Sequence, residues 1–171
     1  NDIWRNYCIS DSYEPGSTAK PYTIAAALDE GLIQPEDEFV CDGREIVGGW
    51  TIKCHKNEGH GTISLYQTIA YSCNDALMFI AAKEGANTFT SYLQRFNFGL
   101  KTRIDLPGEE SCANLVRKAE EMGPADLATN SFSALIFILE LHTLVLPLSL
   151  SIFPDCSTSQ KRAICPLSSR K

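Results

Sequence analysis

The last glycine of this 171-residue chain is Gly123, and within ten residues of it the sequence changes character. Through Phe132 the sequence is punctuated by glycine and proline and holds 11 Lys/Arg against 19 Asp/Glu, a net of −8. From Ser133 onward it holds 4 against 2, a net of +2, and 14 of the 20 residues from Ala134 to Phe153 are apolar. The tail is a different kind of sequence. We divide the chain into a folded region, 1–132, and an atypical apolar then basic tail, 133–171. Segment 134–153 is long enough to span a bilayer, with Glu140, His142 and Pro147 counting against it. The break at Phe132 and Ser133 predicts a frameshifted or truncated reading frame; the rival is an authentic membrane anchor with its basic end inside. The chain begins at Asn1 with no signal segment, so an export signal and anchor are expected upstream.

With 44% hydrophobic and 21% charged residues, the composition is that of one ordinary domain. A net charge of −6 without a Lys/Arg run excludes nucleic acid as the main partner, because phosphate neutralisation needs a basic patch. Seven dispersed cysteines (8, 41, 54, 73, 112, 156, 165) do not form a small disulfide framework, and their odd number leaves at least one unpaired within the chain.

Tyr22, Ala25, Ala26 and Leu28 recur at helical spacing, predicting a helix from Ser17 to Leu32 with Gly31 as its stop and Pro21 in the first turn. Two β-prone runs between Phe39 and Cys54, broken by Asp42-Gly43 and Gly48-Gly49, predict a small hairpin. Residues 63–71 and 75–84 read as short helices interrupted at Ser72-Cys73-Asn74. Phe89, Leu93 and Phe96 give a further helix ending at Gly99, and a last helix, 113–122, is expected to stop at Gly123-Pro124.

Within "YEPGSTAKPYT", Ser17 and Lys20 lie three residues apart and so share a helix face. A serine hydroxyl needs a neighbour to remove its proton, and lysine can do so only if enclosure lowers its pKa from about 10.4. The alternative is that Ser17 caps a helix and Lys20 is solvated. A second polar cluster, Ser72-Cys73-Asn74, could line the same cleft; alternatively Ser72 caps the helix after it.

The order and wording of these elements resemble the transpeptidase domain of class B penicillin-binding proteins, the cell-division and sporulation type. The resemblance runs through "SDSYEPGSTAKPYT", "CHKNEGHGTISL", "YSCNDALMFIAAKEG", "YLQRFNFGLKTRIDLPGE" and "NLVRKAEEMGPADLATNSF", about residues 1–132. It implies a mixed α/β (α+β) fold of the penicillin-binding and serine β-lactamase kind, here dominated by its helical half. It further implies a serine D,D-transpeptidase of peptidoglycan cross-linking that uses no cofactor. Ser17 matches the acylated nucleophile, Lys20 its activator, Ser72 the proton relay and Asn74 the amide that holds substrate. Implied partners are stem peptides ending in D-Ala-D-Ala, β-lactams, and divisome or sporulation proteins, at the extracytoplasmic face of a bacterial cell membrane. A β-lactamase relative would share S-x-x-K without "IDLPGE".

This chain departs from the family at Asn97 and Arg103, where glycine is usual, and after Phe132, where no K-T-G occurs. The K-T-G strand supplies an oxyanion N–H, and losing one such donor lowers rates by about 10²–10³. Impaired turnover is therefore expected; the alternative is a non-catalytic, membrane-anchored or partner-binding remnant. Cys73 lies inside the S-x-N triplet and Cys54 in the exposed-looking "KCHKNEGHG" segment; an extracytoplasmic disulfide between them would cover or distort the cleft and so gate acylation by redox state, the alternative being two unlinked thiols. Cys41, Cys54, His55 and His60 have a C-x12-C-H-x4-H spacing that matches no usual zinc pattern, so no metal is expected, and His60 between two glycines reads as a turn former.

Overall fold

The computed structural model describes residues 6–109, 111 and 113–133, the side chains of Tyr7 and Cys8 apart; the expected tail beyond Ser133, and with it the expectation of a membrane segment over 134–153, lies outside them. The elements are α1 (Tyr7–Ser10), α2 (Lys20–Asp29), β1 (Glu38–Cys41), β2 (Arg44–Val47), β3 (Trp50–Lys53), β4 (Gly61–Ser64), α3 (Leu65–Ala70), α4 (Asn74–Arg95) and α5 (Pro124–Phe132). Helices and short sheets mix, with helices dominant, as the fold class expected. No helix among the described residues is long and apolar enough to cross a membrane.

Helix α4 organises the rest. Its Ala76, Leu77 and Ile80 join Ile24 of α2 and Phe39 and Ile63 of the strands in one apolar cluster. Ala81, Phe89 and Leu93 join Met122 and Leu127 in a second. Apolar residues three and four apart thus let α4 pack against both α2 and α5. Gly85, at φ 71° and ψ 161°, interrupts the helical geometry, which is why the sequence reads as two helices here.

The regular part of α2 starts at Lys20, later than expected, because Gly16–Ala19 form a 3-10 turn. Its end is a Schellman motif: Gly31 takes φ 66°, Gly31 N–H donates to Leu28 and Leu32 N–H to Ala27. The expected hairpin is confined to β2–β3, turned at Gly48-Gly49 so that Val47 opposes Trp50. β1 pairs instead with β4, Phe39 against Ile63 and Cys41 against Gly61, and its alternation turns Phe39 and Cys41 inward.

The helix expected over 113–122 is a correction. Only Ala119–Glu121 is helical there, as a 3-10 turn, and Gly123-Pro124 begins a helix instead of stopping one. Proline at the first turn gives up only an N–H that has no intrahelical partner. Asp126 then accepts from Gly123 N–H at 3.1 Å and closes that end of α5.

Candidate active site

Lys20 is placed by the start of α2. Gly16, at φ 59°, bends the chain out of Pro15, and the 3-10 turn closes with Lys20 N–H donating to the Ser17 carbonyl. Side chains three apart eclipse one another in such a turn, so Ser17 and Lys20 face the same way. Ser17 is exposed, whereas Lys20 is only 2% exposed. The cap reading of Ser17 does not hold: the N-cap of α2 is Ala19.

The lysine head is received by the α3–α4 junction. Nζ donates to Ser72 O at 2.5 Å, Ser72 Oγ at 2.9 Å and Asn74 Oδ1 at 2.8 Å, all three of an ammonium's donors. Asn74 Nδ2 donates in turn to Lys53 O of β3 at 3.3 Å. Ser72 reaches this position through a φ of 50°, a left-handed conformation that costs a non-glycine residue about 1–2 kcal/mol. It is free to do so because Cys73, not Ser72, caps α4: Cys73 Sγ accepts from Ala76 N–H at 3.5 Å.

Burial lowers the Lys20 pKa to about 8, against the smaller opposing pull of the Cys73 and Cys54 sulfurs. Phe132, at the end of α5, contributes to that enclosure with its ring centroid 6.0 Å from Nζ. The neighbouring hydrogen bond from Thr23 Oγ1 to Ser131 O, 2.9 Å long, ties this end of α5 to α2. The four residues read from the sequence therefore come together, with Lys20 bonded to Ser72 and Asn74 and Ser17 adjoining on the same turn.

Cys54 and Cys73 are buried free thiols, their sulfurs 4.0 Å apart. Spacing alone missed what joins them. Cys41 Sγ lies 3.4 Å and Cys54 Sγ 3.7 Å from His60 Nδ1, so Cys41, Cys54, His60 and Cys73 form one group, with Cys73 where His55 had been counted. Inward alternation along "EFVC" was the one sequence signal for Cys41. Burial pushes the Cys73 thiol up to about 12 and raises Cys41. At Cys54 burial is outweighed by backbone N–H groups of Lys56, Asn74 and Asp75, and its pKa falls.

A family model described as the penicillin binding protein transpeptidase domain matches residues 1–132. Stage V sporulation protein D of Bacillus subtilis is 36% identical over 129 residues, 75% of this chain and 20% of the relative. Penicillin-binding protein PbpB of Mycolicibacterium smegmatis is 32% identical over 106 residues, 62% of this chain and 16% of the relative. This chain thus spans a fifth or less of the length of these two relatives. A peptidoglycan glycosyltransferase structure from Burkholderia ambifaria superimposes with a TM-score of 0.73 at 24% identity, covering 79% of this chain and 42% of that one. Pseudomonas aeruginosa PBP2 in complex with WCK 5153 gives 0.72 at 23%, covering 79% and 33%. At these identities the structural likeness speaks to fold.

Proposed function

The chain belongs to the penicillin-binding protein transpeptidase domain family, and from that premise we propose that it carries the acylating half of a serine D,D-transpeptidase of peptidoglycan cross-linking. The observation that carries the reading is the buried Lys20 ammonium held on Ser72 and Asn74 beside an exposed Ser17.

In this reading Lys20, neutral in roughly a tenth of molecules at pH 7 given its pKa of about 8, takes the Ser17 proton. Ser17 Oγ bonds to the penultimate D-Ala carbonyl carbon of a stem peptide. The peptide C–N bond breaks, and the terminal D-Ala leaves with a proton on its nitrogen. Of the three acceptors around Nζ, Ser72 O and Asn74 Oδ1 can only accept, whereas the Ser72 hydroxyl can also donate. Ser72 is therefore the exit for the proton, receiving it from Lys20 as it passes its own to the leaving amine. An amine from a neighbouring strand then attacks the ester and restores Ser17. Asn74 holds the substrate's peptide group, and a β-lactam stops at the ester.

The 171 residues contain no K-T-G, so acylation by this chain is expected to be slow and cross-linking turnover low. The proposed setting is the extracytoplasmic face of the cell membrane, with stem peptides, β-lactams and cell-division or sporulation proteins as partners. Labelling by a fluorescent penicillin, competed by a D-Ala-D-Ala peptide and lost in Ser17→Ala, tests the reading. A folded chain that never labels favours the non-catalytic remnant.

A further inference from the structure

The transpeptidase chemistry leaves four reactive side chains unused. Cys41 ends β1, Cys54 comes directly after β3, His60 precedes β4 and Cys73 caps α4, yet their ligand atoms all lie within 4.8 Å of one another. Three are buried and none is in a disulfide. A tetrahedral zinc ion with Zn–S of about 2.3 Å and Zn–N of about 2.0–2.1 Å separates sulfur from sulfur by about 3.8 Å and sulfur from nitrogen by about 3.5 Å. The corresponding separations here are 4.0 Å for Cys54 to Cys73, and 3.4 and 3.7 Å from His60 Nδ1 to Cys41 and Cys54.

The surrounding backbone is shaped for this convergence. A Cβ at Gly59 would lie 2.3 Å from Cys41 O, and one at Gly43 would lie 2.2 Å from Asn57 O, so only glycine lets the 54–60 loop close onto the end of β1. Tyr71 stacks on the His60 ring at 5.6 Å with 13° between planes, which fixes its orientation.

We propose that Cys41, Cys54, His60 and Cys73 form a closed Cys3His site for a thiophilic divalent cation, zinc by its donor set. Four protein ligands leave no open position, so the ion is structural. It clamps β1, β3 and the loop before β4 to the N-terminus of α4, where two-stranded sheets alone would be marginal. Cys73 sits between Ser72 and Asn74, so the ion also positions the junction that holds Lys20. Binding exchanges thiol protons for the ion and involves no electron transfer. A Cys54–Cys73 disulfide would consume two ligands, making ion and disulfide mutually exclusive.

The test is metal analysis and cobalt(II) titration of the whole chain purified anaerobically with zinc present, beside Cys41→Ser, which retains both cysteines of the disulfide pair. The expected result is about one zinc per chain, intense thiolate-to-cobalt absorption, and an affinity loss of at least about 100-fold in Cys41→Ser. Should that variant fail to fold, thiol modification of the wild-type chain decides: Cys41, Cys54 and Cys73 should be protected with zinc and react after chelation. Equal reactivity in both states, no stoichiometric ion, or cobalt binding unaffected by Cys41→Ser overturns the proposal. These readouts do not depend on acylation, so the site and the transpeptidase reading can fail separately.

Discussion

Lys20 Nζ lies 2.5 Å from the carbonyl oxygen of Ser72, a residue whose left-handed backbone aims both its carbonyl and its hydroxyl at the ammonium. One strained residue thus supplies two of the three bonds that hold the lysine. Ser72→Gly should separate the two roles. Relief of the positive φ is expected to be offset by loss of the hydroxyl acceptor for the buried ammonium, leaving unfolding stability within about 1 kcal/mol of the parent, while the acylation rate falls by about 10²–10³. Thermal unfolding and penicillin acylation rates, measured on the same preparation, check both.

Acylation should rise with pH and level off above about 8, because the reactive form of Lys20 is the neutral amine and burial holds its pKa there. Phe132→Ala admits water beside Nζ. Its expected effect is to move the midpoint upward, toward the ordinary lysine value of about 10.4, with less change in the high-pH plateau. The pH profiles of the two proteins decide it.

Glu84 is buried just before the Gly85 break, and neither carboxylate oxygen has a hydrogen-bond partner among the described residues. Burial raises its pKa to about 8 from an ordinary 4.5. Since the folded value exceeds the unfolded one, its favourable contribution is complete below about pH 4.5 and is lost as pH rises through about 8. Glu84→Gln should therefore gain stability over the wild type progressively from about pH 5 to about pH 9, by a few kcal/mol at the top of that range. Denaturant unfolding at several pH values measures the difference.

At Asn97 and Arg103, where the family resemblance leads one to expect glycine, the structure has φ of 65° and 61°. Asparagine tolerates this backbone, but arginine does not, and Arg103 is exposed with no burial to lose. Arg103→Gly is expected to stabilise the chain by about 1 kcal/mol, and Asn97→Gly by less than half as much. Midpoints of urea unfolding for the two variants test the order.

What the sequence disclosed was local. The α4 periodicity, its break near Gly85, the Gly48-Gly49 turn, and the Ser17–Lys20 pair are all set by spacing within a few residues. Gly123-Pro124 was misread because the same dipeptide ends one helix or begins another; the Asp126 bond to Gly123 N–H and the packing of Leu127 against α4 make it a beginning. Cys73 as the cap of α4 was hidden by the commoner capping residue beside it. The pairing of β1 with β4 encloses a loop of some twenty residues, and it is this closure that carries Cys41 to His60. Linear cysteine spacing has no means of registering it.

Intact mass of the purified chain after incubation with penicillin, beside Ser17→Ala, tests the acylating site most directly. The expected result is a gain of one penicillin mass in the parent chain and none in the variant. A folded parent with no gain, or a gain that survives Ser17→Ala, would contradict the assignment of Ser17, Lys20, Ser72 and Asn74 as an acylating cluster.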